Sequence, residues 1–175
     1  LRTMDDATPL RYQVLACFER AAQASDPEER RALLRFAIVG GGPTGVAYAG
    51  ALAELISGPL LKDYRGISPD DVDVSLLEGG ERLLPGMPGR LQEYARARLE
   101  KRGVTVRVGS LVLSVRPDAA VTSSQGELPA HTVVWAAGVQ GDPAVGRWGL
   151  PVGPSGQRAR SRNAAGARPP GGVRG

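Results

Sequence analysis

The sequence predicts an α/β fold: a parallel sheet with helical connections, an inserted three-stranded antiparallel meander and a helical lead-in. Three observations predict it. Short apolar runs at Phe36-Ala37-Ile38-Val39, Val72 to Leu77 and Thr132 to Trp135 end in glycine or other small residues and read as buried strands. Helical periodicities fill the gaps between the first strands. Short segments spaced by turn residues between 112 and 128 read as the meander.

The elements follow in order. Thr8-Pro9 reads as an N-cap with proline at the first helical position, and Leu10, Val14, Cys17, Phe18 and Ala21 recur at helical spacing to about Ser25. Asp26-Pro27-Glu28-Glu29 opens a second helix with an acidic capping box, and Leu33 and Leu34 end it. After the first strand, Thr44 to Ile56 is a helix that Ser57-Gly58-Pro59 is expected to break. Residues 58–71 are an irregular excursion. The strand from Val72 to Leu77 follows, then a Pro/Gly loop and a charged helix from Leu91 to Arg102, with Gly103 in the C′ position. Val104, Val106 and Val108 alternate as a strand. Val112 to Val115, Ala120 to Thr122 and Gly126 to Leu128 form the meander, with turns at Pro117-Asp118 and Ser123-Ser124.

Composition narrows the function classes. The net charge is +4, yet residues 157–175 carry five arginines and no acid; without them 17 basic residues face 18 acidic ones, for −1. The body therefore shows no basic face aimed at nucleic acid or at a membrane. The single cysteine, Cys17, excludes an internal disulfide or a cysteine metal cluster, and its place on an apolar stripe predicts a buried thiol. No run of 18 apolar residues marks a bilayer span. Neither a signal sequence nor an initiator methionine opens the chain, which reads as a soluble piece of something longer.

The chemistry concentrates at Gly40-Gly41-Gly42-Pro43-Thr44-Gly45. Gly40, Gly42, Gly45 and Ala49 fit G-x-G-x-x-G-x-x-x-A between a buried strand and a helix, the context this fingerprint needs. Gly40 allows a tight turn, Gly42 lets a pyrophosphate approach the backbone, and Gly45 and Ala49 let the helix pack close to the sheet. Pro43 removes one amide donor, so Thr44 and Gly45 are expected to carry the phosphate contact at the positive end of the helix. Such a Rossmann-like domain binding NAD(H) needs an acid at the end of its second strand. Glu78 stands there, 33 residues after Gly45 where about 20 are usual; the excursion at 58–71 accounts for the delay. Its carboxylate is expected to accept from the adenosine ribose and to repel a 2′-phosphate, favouring NADH, with Arg82 softening that choice. Ala136, Ala137 and Gly138 lie where a strand end meets the crevice, and their small size leaves room for the ligand.

Other residues draw plainer readings. His131 is a surface-loop histidine and Asp70-Asp71 a solvated turn. Trp135, at the centre of its apolar run, is expected in the core, with the cleft wall as the alternative. No catalytic residue or metal set is visible.

These motifs together resemble the type II NADH dehydrogenases, single-subunit NADH:quinone oxidoreductases of the two-dinucleotide-binding-domain flavoproteins. The likeness runs from about Leu1 to Gly156. It rests on Gly40-Gly41-Gly42-Pro43-Thr44-Gly45-Val46, Glu78-Gly79-Gly80-Glu81-Arg82-Leu83-Leu84-Pro85-Gly86 and Val133-Val134-Trp135-Ala136-Ala137-Gly138-Val139. The resemblance implies NADH bound here, FAD bound in the full-length parent, hydride transfer from the NADH to that flavin, and electrons passed on to a quinone. It also implies a cytoplasmic chain whose parent lies peripherally on the membrane surface, and it allows a homodimer. In its domain plan, residues 1–35 link to a flavin domain, 36–140 bind NAD(H), 141–156 begin the return, and 157–175 are a disordered Arg/Gly/Pro tail. Codons can be chosen for the tail that fit a frameshift near Gly156 in a GC-rich bacterial gene, the alternative being a genuine Arg/Gly tail that binds RNA. Family members usually carry Glu where Ala47 stands, near the nicotinamide–flavin junction, which puts turnover in question. A non-catalytic NADH-binding module, an inactive gene fragment, or an NAD(P)H-flavin reductase with another acceptor are the alternative functions.

Overall fold

The computed structural model describes residues 4–138. Two compact units divide the chain, Leu1–Ala137 and Gly138–Gly175. The segments assigned above to 141–156 and 157–175 lie outside the described residues.

The elements run α1 (Met4–Gln23), α2 (Pro27–Leu33), β1 (Arg35–Val39), α3 (Pro43–Leu55), a π-turn (Ile56–Leu60) and α4 (Leu61–Asp63). A 3₁₀ turn (Pro69–Asp71), β2 (Asp73–Leu77), α5 (Gly89–Lys101), β3 (Val104–Arg107), β4 (Val112–Val115), β5 (Ala119–Thr122), β6 (Gly126–Pro129) and β7 (Thr132–Trp135) follow. The parallel sheet has the order β3-β2-β1-β7, and β4-β5-β6 form the antiparallel meander. Helical connections carry the chain outward from β1 to β3, and the meander returns it to the other side of β1. The strand order therefore reverses at β1, where open α/β sheets leave a crevice at the strands' carboxyl ends.

Strand alternation splits the core in two. Phe36 and Ile38 of β1 face a cluster with Phe18, Leu34, Leu52 and Leu76. Ala37 and Val39 face a smaller cluster with Leu77, Val112, Ala120 and Ala130. Helices thus cover one face of β1 and the meander the other, which explains its unbroken apolar run. The lead-in belongs to the larger cluster: Phe18 is 0% exposed, with its ring 6.4 Å from Phe36 and 5.7 Å from Tyr64. Cys17 is buried as expected, its Sγ 3.6 Å from Thr132 Oγ1.

Three local expectations need correction. First, α1 begins at Met4, so Pro9 lies inside the helix and Thr8 does not cap it. One lost amide close to a helix start removes a single hydrogen bond, which the packing of the following turns offsets. Second, Ser57-Gly58-Pro59 does not break α3. The helix widens into a π-turn around Pro59, which has no amide to donate, and continues to Asp63 because Ile56 and Leu60 are both buried. Third, the reciprocal capping box is at Ser68, not Asp26: Asp26 Oδ1 accepts from the Glu28 amide, whereas Ser68 and Asp71 cap each other. The pair Asp70-Asp71 therefore belongs to a defined 3₁₀ turn, with Asp71 3.8 Å from Arg31. The helical stretch Pro43–Asp63 contains no unbroken run of 18 apolar residues, yet by length and composition alone it is long and apolar enough to cross a membrane. Its Ala49, Leu52, Ala53, Ile56 and Leu60 are buried in the core, which accounts for that composition.

Candidate functional site

The site begins where β1 ends. Gly40 takes φ +111°, open to glycine and strained for other residues. Its amide donates to Leu77 O at 2.8 Å, closing the last rung to β2. A Cβ on Gly40 would lie 2.7 Å from the Ala137 nitrogen, and one on Gly45 would lie 1.8 Å from the Gly40 oxygen. The end of β1, the start of α3 and the end of β7 therefore meet backbone to backbone, with Ala136 N–H donating to Val39 O at 2.8 Å. The small residues Ala136 and Ala137 border this contact, and Ala137 also lines the crevice described below. Gly138, at φ +81°, is the last described residue and falls in the second unit.

Gly42 differs from its neighbours: a Cβ there would meet nothing within 4 Å. It is the N-cap of α3, at φ −73° and ψ 179°, and no side chain caps that end. Val46 N–H makes the first helical bond, to Gly42 O at 3.0 Å, so the amides of Thr44 and Gly45 precede the bonded ladder. Pro43 follows Gly42 at the first position, as read from the sequence. An uncapped helix start with open space at its glycine cap is a cradle that fits phosphate oxygens, each charge there being worth about 0.3–1 kcal/mol when exposed.

Glu78 closes the other side. It leaves β2 with its amide on Arg107 O at 2.9 Å, and its side chain turns to the glycine loop. Oε2 accepts from Gly41 N–H at 2.5 Å and Oε1 from Gly80 N–H at 2.7 Å. The carboxylate thus lies on the same side as the bend. From the same loop, Leu84 N–H donates to Gly41 O at 2.8 Å. Leu84 holds φ +52°, a left-handed conformation costing a non-glycine residue about 1–2 kcal/mol, and is only 8% exposed. Gln92 Nε2 donates to the carbonyls of Leu84 and Met87, tying this loop to α5. Arg82 lies elsewhere, beside Gly89 and lining a separate cleft with Gln92, Glu93 and Arg96.

Between these walls lies a crevice of about 320 Å³ bordered by Gly40, Glu78, Gly79, Leu111, Trp135 and Ala137. Trp135 corrects the core expectation. It is 51% exposed and its Nε1 donates to Ala137 O at 3.0 Å. Strand β7 lies at the sheet's edge, and alternation turns Thr132 and Val134 inward, sending Trp135 to the opposite face at the strand's open end. Leu111 and Ser110 carry no motif that marks them in the sequence. Ser110 is buried and shares a 2.9 Å hydrogen bond with Ser124, and Leu111 stands exposed over Gly79. Their only signal was position, directly after the strand that flanks the acid-bearing one.

Ala47 is exposed and does not border this crevice; it lines a groove of about 300 Å³ with α5 residues Ala95, Arg98 and Leu99. His131 is half-buried and donates its amide to Arg35 O at 3.0 Å. Burial raises the Tyr48 phenol above its ordinary pKa. No cluster of His, Cys, Asp and Glu suited to a metal ion occurs among the described residues.

The chain is similar to known proteins in sequence and in fold. The chain is 41% identical over 143 residues to the type II NADH:quinone oxidoreductase Ndh of Mycobacterium tuberculosis, covering 79% of this chain and 31% of that protein. It is 34% identical over 170 residues to the external alternative NAD(P)H-ubiquinone oxidoreductase B1, mitochondrial, of Arabidopsis thaliana, covering 93% and 29%. The structure superposes on NDH2 from Plasmodium falciparum in complex with NADH with a TM-score of 0.74 at 25% identity, covering 81% of this chain and 30% of that one. The chain thus spans about a third of the length of these relatives. The family of pyridine nucleotide-disulphide oxidoreductases matches residues 1–161. With its glycine bend, uncapped helix start and strand-end acid in that family's company, the chain belongs to the pyridine nucleotide-disulphide oxidoreductases.

Proposed function

We propose that this chain is the NADH-binding part of a flavin-dependent NADH:quinone oxidoreductase. One observation carries the reading: the Glu78 carboxylate is hydrogen-bonded to Gly41, in the bend that leads directly into the uncapped start of α3, open at Gly42. The amides of Thr44 and Gly45 would hold the pyrophosphate, and Glu78 would accept from the adenosine ribose. That direction puts the nicotinamide half towards β7, beside Ala137 and Trp135. The chain binds and orients the dinucleotide; flavin bound elsewhere in the parent supplies the two-electron chemistry. The acceptor is a quinone, in keeping with the relatives' names, and the parent works at the membrane surface where a lipid-soluble quinone is reached.

Titrating the purified chain with NADH and NADPH, followed by nicotinamide fluorescence, tests the reading. NADH is expected to bind and to be preferred. Equal affinities would remove the role of Glu78, and no binding of either would overturn the assignment.

A further inference from the structure

Glu78 has two jobs to do with one carboxylate. Accepting ribose hydroxyls asks for free lone pairs at the crevice mouth. Yet each oxygen already accepts a backbone amide, Oε2 from Gly41 at 2.5 Å and Oε1 from Gly80 at 2.7 Å. A carboxylate has about four lone-pair sites, so two stay available, one on each oxygen. Gly41 is held at its carbonyl too, in the next peptide unit, since Leu84 N–H donates to Gly41 O at 2.8 Å. Leu83 and Glu78 pack so near that a Cβ on Gly41 would lie 2.7 Å from Leu83 Cδ2 and 2.9 Å from Glu78 Cβ. The strained Leu84, kept left-handed at φ +52° and buried, makes sense as the residue that aims its amide at this carbonyl.

We propose that the loop Glu78–Leu84 is a clamp that presets the glycine loop, with Glu78 acting as a positioning residue as well as the ribose acceptor. The peptide units on both sides of the Gly41 α-carbon are gripped, one by its N–H and the next by its C=O, so the bend from Gly40 to Gly42 is formed before any cofactor arrives. Ordering this loop then adds little to the entropy cost of binding. Selectivity follows from the same bonds. An acid held by one flexible side chain can turn aside from a 2′-phosphate; one pinned by two amides on opposite sides cannot. The rejection of NADPH therefore depends on the anchoring of Glu78 and not on its charge alone. This inference rests on the NADH-binding reading above.

The test separates the two jobs with the whole chain, using Glu78→Asp and Glu78→Gln. Aspartate keeps the charge but draws the carboxylate back by about 1.5 Å, out of reach of Gly41. Glutamine keeps the length but turns an NH₂ group towards one of the two backbone N–H donors, breaking one anchor. Three readouts apply: amide exchange at Gly41 and Gly80 without cofactor, affinity for NADH and NADPH, and affinity for 2′,3′-dideoxyadenosine diphosphate, which keeps the phosphates but lacks both ribose hydroxyls. Unchanged exchange at Phe36–Val39 verifies the fold of each variant. In Glu78→Asp the Gly41 amide is expected to exchange about tenfold faster, the dideoxy probe to bind about threefold to tenfold more weakly, and the NADH-over-NADPH ratio to fall about tenfold despite the retained charge. Glu78→Gln is expected to fall between Glu78→Asp and the unaltered chain in exchange and in dideoxy affinity. If either variant loses NADH affinity while Gly41 exchange and dideoxy binding stay unchanged, Glu78 touches only the ribose and the clamp is overturned with the cofactor reading intact. If the unaltered chain binds neither NADH nor the dideoxy probe, the cofactor reading itself is overturned and the clamp's role in binding falls with it.

Discussion

Gly42 and Gly45 stand three residues apart in one motif, and the structure gives them opposite liabilities. An alanine methyl at Gly45 would sit 1.8 Å from the Gly40 carbonyl oxygen and 3.6 Å from Ala136 Cβ. The obstacle is backbone at a three-way junction, so α3 must move away from β1 by more than 1 Å or the bend must open. Overpacking of this kind costs about 1–3 kcal/mol, and an unyielding backbone puts Gly45→Ala near 3 kcal/mol. With a urea slope of about 1–3 kcal/mol per molar, the unfolding midpoint drops by roughly 1.5 M. A methyl at Gly42 meets nothing within 4 Å and the backbone there has φ −73°, so Gly42→Ala is expected to cost about 0.5 kcal/mol, the usual penalty of alanine at an N-cap. It fills the space proposed above for the pyrophosphate, however, and should weaken NADH binding about tenfold or more. Urea unfolding followed by circular dichroism and NADH titration of both variants resolve the two effects. A Gly45→Ala midpoint equal to the unaltered chain's would refute the packing argument. Unchanged NADH affinity in Gly42→Ala would refute the cradle.

Two further perturbations probe the frame around the site. Phe18→Ala removes a fully buried ring stacked on Phe36, and should cost about 3–5 kcal/mol; a loss below about 1 kcal/mol in urea unfolding would mean that α1 is not integral to the core. Burial raises the Tyr48 pKa in the folded chain, so its contribution to stability is complete below about pH 10 and is lost as pH climbs through the raised folded value. Tyr48→Phe should therefore lose less stability than the unaltered chain between pH 9 and 11.5, and parallel pH curves for the two would contradict the burial argument.

Sequence alone determined what depends on neighbours along the chain. The glycine spacing between a buried strand and a helix, the acid after β2, Gly103 past the end of α5 with its φ of +82°, and the three short strands of the meander all follow from local sterics and alternation. Tertiary structure decided what depends on residues brought together from afar. The helix through Pro59 continues because Ile56 and Leu60 have a core to enter, which no local propensity reveals. Trp135 faces the crevice because β7 came to rest at the sheet's edge. Leu84 is left-handed because its amide must reach the Gly41 carbonyl, 43 residues earlier in the chain. Backbone geometry over a few residues is a property of the chain; which carbonyl, cavity or sheet edge a residue finds is a property of the packed molecule.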